Sequence, residues 1–72
     1  MEQLPDRIRK IREVYGLTQQ NIAERMDISC STYGKMERNA NLAKVGTLIK
    51  IANAIGVSLL FLLDTQNKNY KE

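Results

Sequence analysis

With 72 residues, a net charge of +3 and a sequence pI near 9.2, the chain makes at most one small domain, of a size that buries only roughly 60% of its unfolded surface. It has no His and a single Cys, Cys30, which excludes an internal disulfide and a structural Cys/His metal cluster, so helix packing or oligomerisation has to hold the fold. The mild basicity favours an anionic partner without demanding one.

In "LPDRIRKIREVYG" the apolar residues Leu4, Ile8, Ile11 and Tyr15 recur at steps of four, three and four. That places them within about 60° on one face of a first amphipathic helix. Pro5 suits its opening turn, Asp6 complements its N-terminal dipole and Gly16 can end it in a left-handed conformation. With charges from Glu2 to Arg12 no signal peptide is expected here, and a lone unpaired thiol suits a reducing cytoplasm.

Thr18 reads as the N-cap of a second helix running to about residue 26. Ile22, Ala23 and Met26 form its buried stripe, and Gln19, Gln20 and Glu24 stay outside. Asp27 can stop this helix, since Asp tolerates left-handed backbone. Ser29 is a second N-cap, and Tyr33 with Met36 makes an inward pair at i, i+3. The opposite face of this third helix, to about Arg38, carries Ser31, Gly34, Lys35 and Arg38, with Cys30 at its edge and no carboxylate. Asn39 ends it, and "NANLA" is a connector without periodicity.

A fourth helix is expected over 44–55, with Val45, Leu48, Ile49, Ala52 and Ile55 buried, Ile51 at the edge of the stripe and Gly56 as the stop. Ser58 caps a last short helix, "LLFLL", which is apolar all round, so that something should cover Leu60 or Phe61. Residues 45–63 together approach the roughly 20 apolar residues of a membrane span. Lys50 and Asn53 near the middle and the interrupting "GVS" favour two packed helices over a span. The domain is expected to occupy 1–64, and the polar tail "TQNKNYKE" at 65–72 to fray. No internal repeat or low-complexity run is evident.

Two short helices joined by a three-residue turn cross at about 90 to 120° rather than lying antiparallel. The second is thereby pushed outward. Its positive N-terminal end, its small residues Cys30, Ser31 and Gly34 and its cations Lys35 and Arg38 would fit a major groove lined by phosphates. An ordinary helical hairpin with a merely solvated outer face has the same spacing.

The stretches "IRKIREVYGLTQQNIAERMDIS", "STYGKMERN" and "LIKIANAIGVSLLFLL", from about Asp6 to Leu63, together resemble the phage-repressor and Cro-like helix-turn-helix family, also called the xenobiotic-response-element type. The resemblance implies an all-α, five-helix lambda-repressor-like domain, helices two and three as the DNA-reading unit, and a homodimer on a palindromic operator of double-stranded DNA. It implies phosphate contacts and bracing from Gln19 at the start of helix two, beside Thr18. Base edges would be faced by Cys30, Ser31, Gly34 and Lys35, and the backbone gripped by Arg38, Asn39, Asn41 and Lys44. Arg12 and Glu37 match an Arg–Glu pair that ties helix one to the end of helix three.

The chain departs from that pattern at several points. Asp27 and Asn39 stand where the family commonly has Gly, and both are expected to tolerate the same backbone region. The loop from Ala40 to Ala43 lacks extra cations, which predicts modest affinity. Gly34 offers no side chain to a base. Leu60 and Phe61 replace polar residues, and are expected either to form the dimer contact or, for Phe61, to seal the core edge. A thiol at a helix N-terminus, as at Cys30, could act as a redox switch, but one thiol is thin support.

The expected function is a sequence-specific transcriptional regulator, a repressor in the first instance, needing no cofactor or metal. An enzyme is not expected, because no acid-base or nucleophile constellation is present. The rival is a protein-interaction module that uses "SLLFLL" to bind a partner chain, as an antitoxin binds a toxin.

Overall fold

The computed structural model describes residues 2–72. Five helices follow one another: α1 (Leu4–Val14), α2 (Gln19–Met26), α3 (Cys30–Arg38), α4 (Val45–Ile55) and α5 (Leu59–Leu63), with one 3-10 turn at Ala40–Leu42 between α3 and α4. No strand occurs among the described residues. Helix α2 packs on α3 and α4, while α1 packs on α3 and α5 and α4 closes against α5. Their buried stripes meet in one core containing Ile8, Ile11, Ile22, Tyr33, Ile51 and Leu62, each without solvent exposure.

Three of the four connections are built alike. Gly16 (φ 72°), Asp27 (φ 57°) and Gly56 (φ 99°) take left-handed backbone, and each is followed by an apolar residue and then a capping hydroxyl: Gly-Leu-Thr, Asp-Ile-Ser and Gly-Val-Ser. At each turn the apolar residue's N–H returns to the preceding helix: Leu17 to the Arg12 carbonyl, Ile28 to that of Ala23 and Val57 to that of Ala52, all at 3.0 Å. This closes the orphan carbonyls. The hydroxyls of Thr18, Ser29 and Ser58 then accept from Asn21, Thr32 and Phe61 N–H groups and open the next helix. At Thr18 the Asn21 side chain reciprocates by accepting from the Thr18 N–H at 2.9 Å.

Three expectations are corrected. On α4 the buried set is Leu48, Ile51, Ala52 and Ile55, whereas Val45 and Ile49 are exposed at 60% and 41%. The stripe is turned about 50° toward Ile51, because the helix has an apolar residue on either flank and its contacts with α2 and α5 select the Ile51 side. Asn39 (φ −101°, ψ 22°) is not left-handed, since the chain turns directly into the right-handed Ala40–Leu42 turn instead of reversing.

The tail, although without helix, does not fray. It runs back along α5 and over α1, fastened by Arg7, which is fully buried. The Arg7 guanidinium donates from Nε and Nη2 to the Phe61 carbonyl (3.0 and 2.7 Å) and from Nη1 to those of Asn67 and Asn69 (2.7 and 3.3 Å). It also lies 4.7 Å from the Phe61 ring centroid and 5.5 Å from that of Tyr70. A buried cation is costly without partners; here the carbonyl end of α5 and the tail supply them. The Tyr70 hydroxyl donates to Glu2 (3.0 Å), and Glu72 accepts from the Ser58 amide (3.0 Å) and hydroxyl (2.6 Å).

Candidate nucleic-acid interface

The frame of the site is a buried ion pair. Arg12 on α1 donates to Glu37 on α3 through Nε to Oε2 (2.9 Å) and Nη2 to Oε1 (3.1 Å), and through Nη1 to the Leu17 carbonyl (2.9 Å). The side chains are 8% and 5% exposed. Glu37 also accepts from the Tyr33 hydroxyl (2.6 Å) and from Gln19 Nε2 (3.3 Å), so α1, α2 and α3 share one carboxylate. Burial works against the Arg12 charge, but the Glu37 carboxylate outweighs it and holds the guanidinium above its ordinary value. Burial, reinforced by Glu37, pushes the Tyr33 phenol well above its usual range, so it stays a donor. With two arginine donors, a phenol and an amide, the charges are satisfied and the end of α3 is fixed relative to α1 and to the start of α2.

On that frame the residues singled out in the sequence are distributed as follows. Thr18 is exposed at the head of α2, and Gln19 beside it is half-buried. Cys30 is half-buried in the first turn of α3, while Ser31, Lys35 and Arg38 are exposed along it. Gly34 is buried: its missing side chain would meet an Arg38 guanidinium nitrogen at 3.3 Å and the Gln19 Oε1 at 3.5 Å. Asn39 is exposed and donates back to the Lys35 carbonyl (2.9 Å), and Asn41, also exposed, donates to Gln3 Oε1 (3.1 Å). Lys44 is exposed and caps α4 only through its backbone. Leu60 is 81% exposed on α5, whereas Phe61 is half-buried beneath Arg7.

Charge is divided sharply along the chain. The surface cations of α1 are engaged: Arg9 with Asp6 and Glu13, Lys10 with Glu2. Between Ile28 and Leu63, by contrast, the only carboxylate is Glu37, already occupied by Arg12. Among the described residues no ion pair includes Lys35, Arg38 or Lys44. The outer side of α3 and the loop after it therefore form a cationic ridge without internal neutralisation.

Sequence reasoning missed Tyr33 as a hydrogen-bond donor to the ion pair and Arg7 as the anchor of the tail. Arg7 does carry a periodic signal, lying three residues after Leu4 and four before Ile11, which puts it on the buried stripe of α1. Its charge hides that position from a pattern of apolar residues.

Two capped helices, a three-residue turn and an outward second helix define a helix-turn-helix domain. A family model described as helix-turn-helix matches residues 8–62, and the chain belongs to this family, in its Cro/C1-type form. Over 58 residues it is 38% identical to the SPbeta prophage-derived uncharacterized HTH-type transcriptional regulator YonR of Bacillus subtilis (strain 168). The match covers 81% of this chain and 54% of that relative, so the chain spans about half the length of the curated protein it matches. No solved structure matches significantly. Among the described residues no helix is long and apolar enough to cross a membrane.

Proposed function

We propose that the protein binds double-stranded DNA sequence-specifically, with α3 in the major groove, and regulates transcription as a repressor acting as a homodimer on a palindromic operator. The observation that carries this reading is the unneutralised cationic ridge of Lys35 and Arg38 on α3 and Lys44 at the head of α4. Family membership and the regulator name carried by the Bacillus relative support it. A helix with its side chains is about 10–12 Å across, which suits a groove about 12 Å wide. In this assignment Lys35 donates to guanine, Ser31 and Cys30 lie against base edges, and Gln19, Thr18, Asn39, Asn41 and Lys44 hold phosphates.

Exposed Leu60, with Leu63 beside it at 38%, supplies the dimer contact, and Phe61 backs it from the core side. The same exposure favours a second reading, in which α5 binds a different protein chain.

Selection of duplexes from a randomised pool, followed by affinity for the winner and for a scrambled duplex at two salt concentrations, tests the proposal. A palindrome with half-sites about one helical turn apart is expected. Lys44→Ala should weaken binding at low salt and flatten the salt dependence by about one unit of log–log slope per subunit. Leu60→Ser should shift sedimentation toward monomer and lower affinity for the palindrome more than for a single half-site. Weak binding, equal on both duplexes and lost at moderate salt, would overturn the DNA reading and direct attention to a protein partner of α5.

A further inference from the structure

Gly34 occupies the middle of α3, where glycine is a poor helix former, and its backbone gives no reason for it. The glycines with positive φ are Gly16 and Gly56, not Gly34. Its surroundings do give one. A Cβ at Gly34 would stand 3.3 Å from Arg38 Nη1 and 3.5 Å from Gln19 Oε1, at the tight edge of van der Waals contact. Gly46, the other glycine inside a helix, has nothing within 4 Å.

Side chains on a helix lean toward its N-terminus, so Arg38 lies back over the residue four before it. Gln19 forms the far wall and is itself held, because its Nε2 donates to Glu37 Oε1 (3.3 Å) in the buried pair with Arg12. Its amide oxygen is thereby turned toward the notch.

We infer that Gly34 is a seat for Arg38: the absent side chain lets the guanidinium settle between α3 and Gln19, so that it meets a DNA phosphate already oriented. This rests on the DNA-binding reading above and deepens it by making Gly34 a positioning residue, not a base contact. A seated guanidinium keeps its remaining N–H groups for a bidentate phosphate contact, and less side-chain freedom is lost when DNA arrives.

The test has two independent readouts. In the free protein, ¹⁵N relaxation of the Arg38 Nε–H group should show a restrained side chain, and Gly34→Ala should release it. On the selected duplex, Gly34→Ala should lower affinity roughly tenfold, the scale of one charge-assisted contact, while the thermal midpoint holds or rises because Ala is the better helix former. In an Arg38→Ala background Gly34→Ala should cost nothing further. Arg38→Lys, which keeps the charge but not the planar fork, should bind less tightly than wild type and be indifferent to Gly34→Ala.

A mobile Arg38 in the free wild-type protein overturns the seat whatever the DNA result. Wild-type affinity in Gly34→Ala, or the same loss with and without Arg38, overturns its role in binding. A restrained Arg38 in a protein that binds no duplex specifically leaves the seat intact but removes the phosphate, and with it the reading of α3 as a DNA-contacting helix.

Discussion

Glu37 accepts from Arg12, Tyr33 and Gln19, and a carboxylate so placed is far more costly to break than to keep. Glu37→Gln should destabilise the fold by about 3–5 kcal/mol, read as a lower urea midpoint with an unchanged slope. Tyr33→Phe, which removes one donor and keeps the ring, should cost about 1–2 kcal/mol. The Arg12–Glu37 pair was legible only through family resemblance, because residues 25 apart in sequence have no local spacing to betray them. Gln19 and Tyr33 were legible as a polar helix start and an apolar face, but their roles as donors to Glu37 depend on how three helices meet. The same limit applies at Gly34, which looks from sequence like an open position and lies under two long side chains.

At the scale of elements, local signals were nearly sufficient. The left-handed residue, the apolar residue and the capping hydroxyl of each turn are written consecutively in the chain, and the five helices fall within a residue or two of the expected spans. That these turns are one device used three times is visible once their backbones are compared, since Asp27 does with some strain what glycine does freely. Asp27→Gly should therefore leave the fold unchanged and stabilise it by up to about 1 kcal/mol, while Ser29→Ala should remove about 1 kcal/mol by stripping the α3 cap. Thermal unfolding measures both. The rotation of α4 was not legible, because an apolar residue on each flank leaves the choice to its neighbours.

For the molecule as a whole, the feature furthest from expectation is the docked tail, whose polar composition suggests solvent and whose contacts are made by charge. Hydrogen bonding from Lys10, with a further bond from Tyr70, draws the Glu2 carboxyl below its usual 4.5, although burial opposes it. The Ser58 hydroxyl and amide do the same for Glu72. A carboxyl lowered on folding contributes stability that is present above 4.5 and disappears as pH falls through its folded value. Acidification below about 4.5 should loosen the Glu2–Tyr70 and Glu72–Ser58 contacts while the Arg7 bonds to the Asn67 and Asn69 carbonyls keep the tail in place, seen as movement of the Ser58 and Tyr70 resonances while those of Ile22 and Ile51 persist. Its bonds to the N-terminal part of the chain join residues 57 to 68 positions apart, the most distant pairings in the chain and thus the costliest in loop entropy to form early. They are expected to form last in folding and to open first in unfolding. Arg7→Met should accordingly accelerate unfolding in stopped-flow chevrons and leave the folding limb nearly where it was, an outcome that would make one buried arginine the timekeeper of how long the native state survives.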